Sequence, residues 1–375
     1  MYSKVEYKVK LSHGDTQNIN SNLGLKQGCP LSPMLFNLYI DDINEIFDAS
    51  CDAVAFQNDF LNHFLYADDL VLISQSNDGL QSCLDKVNEF ATKKNLTINI
   101  AKSKCMVFNQ TGKLEKHNFT INYELLEIVN SFCYLGFDVK SSGTVKHAMS
   151  ILNDKAKKAL RPLMTAIAQF KIPVETSIRL FHTYISPILL YNVENLSTLT
   201  DKKILGFSNT SIYTDTSNSK IDLVHRRFLK YVLGVTKSCP NISVYGETGE
   251  TPISLKGYRL TLNFWYRVSN LPDSALVKKA LLENINLRTN WIKTIEKLIN
   301  HYNLADCIDN HNLFKRENRQ RTYKAYNIFW ENEVRKPDIA RLQFYKGVKT
   351  SLNFEEYLKL GNFKERQAIA KLRCH

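Results

Sequence analysis

The sequence predicts an α+β fold that gives way to a mostly helical region. Three observations carry this expectation. Up to residue 140, short apolar stretches rich in β-branched and aromatic residues alternate with two segments of helical period. From Val145 onward the apolar spacing is helical almost throughout. Net charge also changes sign along the chain: residues 1–150 hold 13 Lys and no Arg against 17 Asp and Glu, a net of −4, which leaves +16 of the total +12 on residues 151–375.

Val5, Tyr7, Val9 and Leu11 alternate like a strand already in progress, so the chain is expected to begin mid-domain. After a polar turn, Ser32 and Pro33 read as a helix start, the serine hydroxyl capping free amides and the proline filling a first-turn position where its missing N–H costs nothing. Leu35, Phe36, Leu38, Tyr39, Ile40, Ile43 and Phe47 then give that helix a wide apolar face. Just before it, Gly24 and Gly28 flank Gln27, which places an amide side chain on permissive backbone at the positive end of the helix. Such a loop can receive a phosphate or a base edge, or be only a loop; the residues leave both open.

The stretch "FLYADDLVLIS" sets Asp68 and Asp69 between apolar runs. Leu61 to Tyr66 and Leu70 to Ser74 read as short buried strands with a tight reversal between them. Burying two unpaired carboxylates would cost several kcal/mol, so the pair belongs at a turn, beside a cation, or both. Hard divalent ions are held by one or two carboxylates together with substrate phosphates, which matches this supply.

Leu80, Cys83, Leu84, Val87, Phe90 and Ala91 recur at helical spacing to about residue 94. "LTINIAKSKCMVFN" reads as two short strands around Ala101 to Ser103 with Lys102 at the junction, and "FTINYELLEIVNSFCYLGFDV" adds strands and a step at Tyr134 to Gly136. Beyond Val145, "VKHAMSILNDKAKKALRPLMTAI", "VETSIRLFHTYISPILLYNV" and "KIDLVHRRFLKYVLGV" read as helices, the last two separated by a long polar loop over residues 198–219. Further helices are expected in "NWIKTIEKLINHYNLADCI", "KRENRQRTYKAYNIFWENEVRK" and "FKERQAIAKLRCH". In the second of these, Arg319, Arg321, Tyr323, Lys324, Tyr326, Phe329 and Trp330 interleave cations with rings, which suits either a strand of nucleic acid or a core-facing helix.

The asymmetric positive charge points to a polyanionic partner, nucleic acid before membrane, since no apolar run approaches the ~18 residues of a membrane span. Eight cysteines are scattered singly, with no C-x-x-C pair and no paired histidines nearby, so a zinc site is not expected, and reduced thiols in a cytoplasmic or nuclear protein are.

Four blocks in order resemble the reverse transcriptases of non-LTR (LINE-type) retrotransposons: "GLKQGCPLSPMLFNLYIDDI", "FLYADDLVLIS", "LTINIAKSKCMVF" and "SFCYLGFDV". More weakly, "LFHTYISPILLYNVENL" and the segments after it resemble the helical thumb of such elements, with Asn192 standing where a glycine is usual after "LLY". The resemblance implies a right-hand polymerase: a partial palm over residues 1–140, an antiparallel sheet with helices; a helical thumb or connection over 141–235; and a basic helical C-terminal region over 236–375. It implies RNA-directed DNA synthesis with two Mg²⁺ ions, Mn²⁺ as a substitute, and an RNA template, a DNA primer and deoxynucleotide triphosphates as partners, without a membrane. Asp68 and Asp69 would be metal ligands, Tyr66 would pack near primer or nucleotide, and Gln27 and Gly28 would track the template and its base pair. Lys102 would neutralise or protonate departing pyrophosphate, while Tyr134, Leu135 and Gly136 would grip the primer terminus.

The family's upstream block, which supplies a further metal-binding aspartate, has no counterpart before Gly24. "DINEIFD", Asp42 to Asp48, copies its spacing but follows the glutamine block. The chain as it stands is therefore expected to be inactive, and the alternative is a non-catalytic remnant that binds nucleic acid through its basic half.

Overall fold

Segments of two to four residues, each ending at a turn, have room to pair only with a close neighbour, and the β structure is built accordingly. The computed structural model describes residues 5–21, 24–57, 59–109, 117–195, 213, 220–336, 342–359 and 362–374. The chain divides into two units, Met1–Asn130 and Ser131–His375.

In the first unit, β1 (Val5–Tyr7), β2 (Lys10–Leu11), β3 (Gly14–Asp15) and β4 (Ile19–Ser21) form two nested antiparallel pairs, β1 with β4 and β2 with β3. Helix α1 (Ser32–Ile40) follows, then a 3-10 segment over Asp41–Glu45. The pairs β5 (Val54–Phe56) with β6 (Asp59–Leu61) and β7 (His63–Tyr66) with β8 (Asp69–Leu72) are hairpins. Helix α2 (Asn77–Lys93) starts at Ser76, whose hydroxyl accepts the Gly79 N–H, and buries Cys83, Leu84, Val87, Phe90 and Ala91 as its spacing predicts. Strand β9 (Lys104–Cys105) runs parallel to β12 (Glu127–Ile128), and β10 (Thr120–Ile121) pairs with β11 (Glu124–Leu125). The Gln81 amide clasps the Thr120 backbone at both its N–H (3.0 Å) and its carbonyl (2.9 Å), pinning α2 to β10 over a small core of Leu84, Cys105, Phe119, Ile121 and Leu126.

Several local expectations need correction. The N-terminal strand breaks after Tyr7. Ser32 lies inside α1 and does not cap it: its hydroxyl donates to the Lys26 carbonyl at 2.7 Å, while Leu31 occupies the cap position without a side-chain bond. The helix stops at Ile40, short of Phe47, because the Asn44 amide captures the Asp41 carbonyl and the backbone tightens to 3-10. Its apolar face is largely exposed, Met34 at 64% and Leu38 at 70%, with Ile40 and Ile43 buried. Of the two strands expected around the Ala101–Ser103 junction, the second forms as β9 and the first does not; at the junction itself the Asn99 side chain and carbonyl take the N–H groups of Lys102 and Ser103 and turn the chain. Nor is the β7–β8 hairpin buried: Phe64 to Asp69 are exposed and Leu70 to Ile73 half-buried.

The second unit opens with β13 (Ser131–Tyr134) and β14 (Phe137–Lys140), joined by Leu135 at φ +47° and Gly136 at φ +78°, the doubly left-handed pair of a type I′ hairpin. Cys133 is exposed, and all eight cysteines are free thiols. The rest is helical: α3 (Lys146–Gln169), α4 (Val174–Tyr184), α5 (Ser186–Leu189), α6 (Lys220–Leu233), α7 (Asn241–Thr248), α8 (Ile253–Ser269), α9 (Leu276–Asn286), α10 (Asn290–His301), α11 (His311–Arg335), α12 (Gln343–Val348) and α13 (Phe363–Cys374). The α+β class expected from sequence is thus the observed one, although α7, α8, α9 and α12 had no assigned counterpart. Apart from Tyr213, the polar loop expected at 198–219 lies outside the described residues.

One large hydrophobic core joins most of these helices, and Leu281 of α9 packs with Val268 and Ile292 in a second, smaller one. Phe181 and Phe228 stack with centroids 4.7 Å apart, and both are fully buried. Gly246 in α7 lets Trp330 and Tyr345 lie against the helix, where an added Cβ would come within 2.7 Å of the indole. Beside it, fully buried Glu247 accepts from Arg373 at 2.9 and 3.2 Å and from the Tyr357 hydroxyl at 2.6 Å, tying α7 to α13.

Replacing Arg373 with Met leaves the Glu247 charge buried with its main cation gone; a loss of about 3 kcal/mol is expected, read as a lower urea midpoint for the helical unit. Ala67, the first residue of the β7–β8 turn, sits at φ +53°, where a Cβ costs about 1–2 kcal/mol and glycine's extra chain entropy offsets about half of that. Ala67→Gly is therefore expected to slow amide exchange at the Tyr66–Asp69 pair, and faster exchange would contradict the strain.

Candidate active site and nucleic-acid surface

Strands β7 and β8 meet across a two-residue reversal. Tyr66 faces Asp69 in the antiparallel register, leaving Ala67 and Asp68 as the turn itself. A positive φ at the first turn position and not the second is the pattern of a II′ turn, which usually takes glycine there. Alanine at that place is a strained choice. The result is that Asp68 projects from the turn and Asp69 from the first residue of β8, two exposed carboxylates on consecutive residues at the open end of a hairpin. Tyr66, 63% exposed, stands beside them. The carboxylate pair offers the hard oxygen donors that Mg²⁺ or Mn²⁺ takes, and among the described residues no third His, Cys, Asp or Glu closes on it.

Gln27 and Gly28 form the centre of a turn closed by the Cys29 N–H on the Lys26 carbonyl at 3.2 Å, with Gly28 at φ +82°. Because Ser32 Oγ also binds the Lys26 carbonyl, the turn is fastened to the first residue of α1 and presents Gln27 to solvent. Lys102 is exposed on the Asn99 turn. Among the described residues no hydrogen bond or ion pair links Gln27 or Lys102 to Asp68 or Asp69. The carboxylates of the "DINEIFD" segment are engaged elsewhere: Asp42 pairs with Lys94 at 2.7 Å, and Asp48 pairs with Lys86, which together with Ser50 holds its carboxyl well below the usual range.

In the second unit, Tyr134, Leu135, Phe137, Val139, Tyr191 and Asn192 line a cleft of about 370 Å³. The Tyr191 hydroxyl donates to the Leu135 carbonyl and would lie 3.4 Å from a Cβ on Gly136, so the Tyr134–Gly136 step is held by the end of the α5 segment. Asn192 has φ +54°. That backbone explains the departure noted at this position, since asparagine is among the residues that tolerate the left-handed region where glycine is the default.

A larger cleft, about 690 Å³, lies between α8 and α11 and is lined by Arg259, Asn312, Lys315, Arg316, Arg319, Gln320 and Tyr323. Among the described residues, the side chains of Arg259, Lys315 and Arg319 make no hydrogen bond or ion pair. Burial first, and then the nearby Arg319 charge, push the half-buried Arg259 guanidinium below its ordinary pKa. The Tyr323 ring is 45% exposed, its hydroxyl anchored on the Leu352 carbonyl at 3.1 Å.

The interleaved segment of α11 thus divides by face. Tyr326 and Trp330 are 1% exposed and belong to the core, while Arg321 is committed to Asp306 (2.8 and 2.9 Å) and Glu317 (2.9 Å). Arg319, Tyr323 and Lys324 remain outward. Lys315 and Arg259 were not singled out from sequence. For Lys315 the signal was present, since 315, 319 and 323 share one helical face at spacing four; Arg259, on a different helix, gave none.

Residues 2–139 match the family model described as "Reverse transcriptase (RNA-dependent DNA polymerase)". The chain is 32% identical over 133 residues to a Pol polyprotein from the type-2 retrotransposable element R2DM of Drosophila melanogaster, covering 33% of this chain and 12% of that protein. It is 27% identical over 164 residues to a Pol polyprotein from the type-1 retrotransposable element R2 of Nasonia vitripennis, 40% of this chain and 16% of that one. To the RNA-directed DNA polymerase from mobile element jockey of Drosophila funebris it is 24% identical over 181 residues, 46% of this chain and 19% of the relative. The chain therefore spans less than a fifth of the length of each of these three relatives. The aspartate hairpin and the glutamine turn both lie inside the matched span, so residues 2–139 are similar to the reverse transcriptase family and, through these relatives, to the polymerases of retrotransposable elements.

Proposed function

We propose that this chain supplies the carboxylate hairpin of an RNA-directed DNA polymerase. The observation that carries the reading is the reversal at Ala67–Asp68, which presents two adjacent carboxylates to solvent at a hairpin end. Asp68 and Asp69 would hold Mg²⁺, or Mn²⁺ in its place, and the bound metal would stabilise charge on the attacking and leaving oxygens of nucleotidyl transfer. Tyr66, next to them in register, is available to pack against primer or incoming deoxynucleotide. Gln27 and Gly28 present an amide and a close-approaching backbone to the template RNA and its base pair. Lys102, on its exposed turn, supplies a proton or a positive charge to departing pyrophosphate. Tyr134, Leu135 and Gly136, fixed through Tyr191, form a rigid step for the primer terminus.

A second activity has its own support. Three uncompensated cations and an exposed ring around one cleft suit the backbone and bases of a single strand, whether or not the chain catalyses anything.

Primer extension on an RNA template with Mg²⁺ or Mn²⁺ tests the first reading. Any extension by the chain is expected to fall roughly a thousand-fold in Asp68→Ala, equivalent to about 4 kcal/mol of barrier; extension unchanged by that substitution overturns the assignment. The second is tested by the salt dependence of single-stranded RNA binding. Lys315→Ala with Arg319→Ala is expected to flatten the log–log salt slope by about 1.4, since each lost phosphate contact is worth about 0.7. A slope equal to that of the unaltered chain removes the cleft from the interface.

A further inference from the structure

Three side chains that the polymerase reading does not use converge in the helical unit. His182 near the end of α4, His225 in the middle of α6 and Glu250 just after α7 bring one ligand atom each to within 4.8 Å of one another. His182 Nε2 lies 2.9 Å from Glu250 Oε2, and His225 Nε2 lies 3.7 Å from the same oxygen. A tetrahedral ion with bonds near 2.1 Å spaces its donors about 3.4 Å apart, a value these two distances bracket.

His225 gives the cluster its meaning. It is fully buried, and neither ring nitrogen has a hydrogen-bond partner among the described residues. A buried polar group of this kind needs an explanation, and an ion at Nε2 provides one. The ring is also held in place: it stacks on Phe181 at 5.0 Å. Glu250 is positioned by backbone. Gly249 closes α7 at φ +65°, and a Cβ there would come within 2.5 Å of the Phe354 nitrogen, which permits no other residue without movement. His182 and Glu250 keep side-chain exposures of 33% and 22%, leaving the cluster open to solvent on one side for entry of an ion and for a water ligand.

We propose that His182, His225 and Glu250 form a three-ligand site for a zinc-like divalent cation. Two imidazoles and one carboxylate favour Zn²⁺ over Mg²⁺ and Ca²⁺, which prefer oxygen alone. The site is independent of the polymerase reading: it lies wholly within residues 131–375 and requires neither Asp68 nor Asp69.

The full chain, stripped with chelator and dialysed against Zn²⁺, is expected to retain one equivalent that excess Mg²⁺ does not displace. Co²⁺ in its place should give visible bands without the sulfur-to-metal charge transfer that thiolate ligands would add. His182→Gln and Glu250→Gln, both at partly exposed positions, are each expected to weaken Zn²⁺ binding by at least about 100-fold while circular dichroism is unchanged. The double variant should also lose any zinc-dependent rise in melting temperature, and Asp68→Asn should retain it. Absence of stoichiometric zinc in the unaltered chain, a thiolate signature with Co²⁺, or binding by either single variant as tight as that of the unaltered chain would each overturn the site and leave His182–Glu250 as a simple hydrogen-bonded pair.

Discussion

The helical unit is organised by one buried negative charge. Glu247 is wholly removed from water, and a carboxylate in that position is tolerable only if its lone pairs are met by fixed donors. Arg373 and Tyr357 meet them, and Arg373 also reaches Glu355 at 3.1 Å, so a helix in the middle of the unit is bound to two segments more than a hundred residues later. Much else is arranged around that bond. Gly246 precedes the carboxylate so that Trp330 and Tyr345 can pack beside it, and Lys349, only 3% exposed, pairs with Glu355 to carry compensation one step outward. The network is costly to form and defines one arrangement of helices, because no shifted packing would satisfy the same donors.

The first unit follows different rules. Its sheets have two strands each among the described residues, and its small core has five fully buried members. Order comes from side chains that capture backbone: Gln81 on Thr120, Asn99 on Lys102, Asn44 on Asp41 and Ser32 on Lys26. Such bonds act over short distances, and they position the glutamine turn and the lysine turn one at a time. The aspartate hairpin is held by its register, from His63 opposite Leu72 to Tyr66 opposite Asp69, and at its base by His63, which stacks on Phe47 at 4.6 Å and shares a hydrogen bond with Asn44 at 2.9 Å.

What could be read from the sequence follows from this contrast. The helix at Asn77–Lys93 was legible because six apolar positions recur at helical spacing; the Ser76 cap that starts it was not singled out. The aspartate reversal was legible because charge between apolar strands has few structural solutions. Ser32 misled, since a serine before proline resembles a cap whether its hydroxyl faces the helix or the preceding loop, and only the fold decides. The junction at Lys102 was legible as a break between apolar runs, whereas the strand expected before it did not form. The Asn99 turn that makes the junction, three residues before Lys102 and four before Ser103, is a local preference that apolar pattern does not record. The α8–α11 cleft and the histidine–glutamate cluster were invisible for a different reason: each assembles residues from separate helices, and nothing in linear spacing brings 259 to 319 or 182 to 250.

The hairpin's dependence on register has a consequence for how this region can vary. Side chains alternate between faces, and only Ala67 and Asp68 lie outside the ladder. A single codon gained or lost between Phe64 and Leu70 would re-pair the strands and carry one acidic group to the reverse side, undoing the juxtaposition without altering composition at all. Substitutions here are graded in effect, whereas changes of length are all-or-none, so this short span is fixed in count more firmly than in identity.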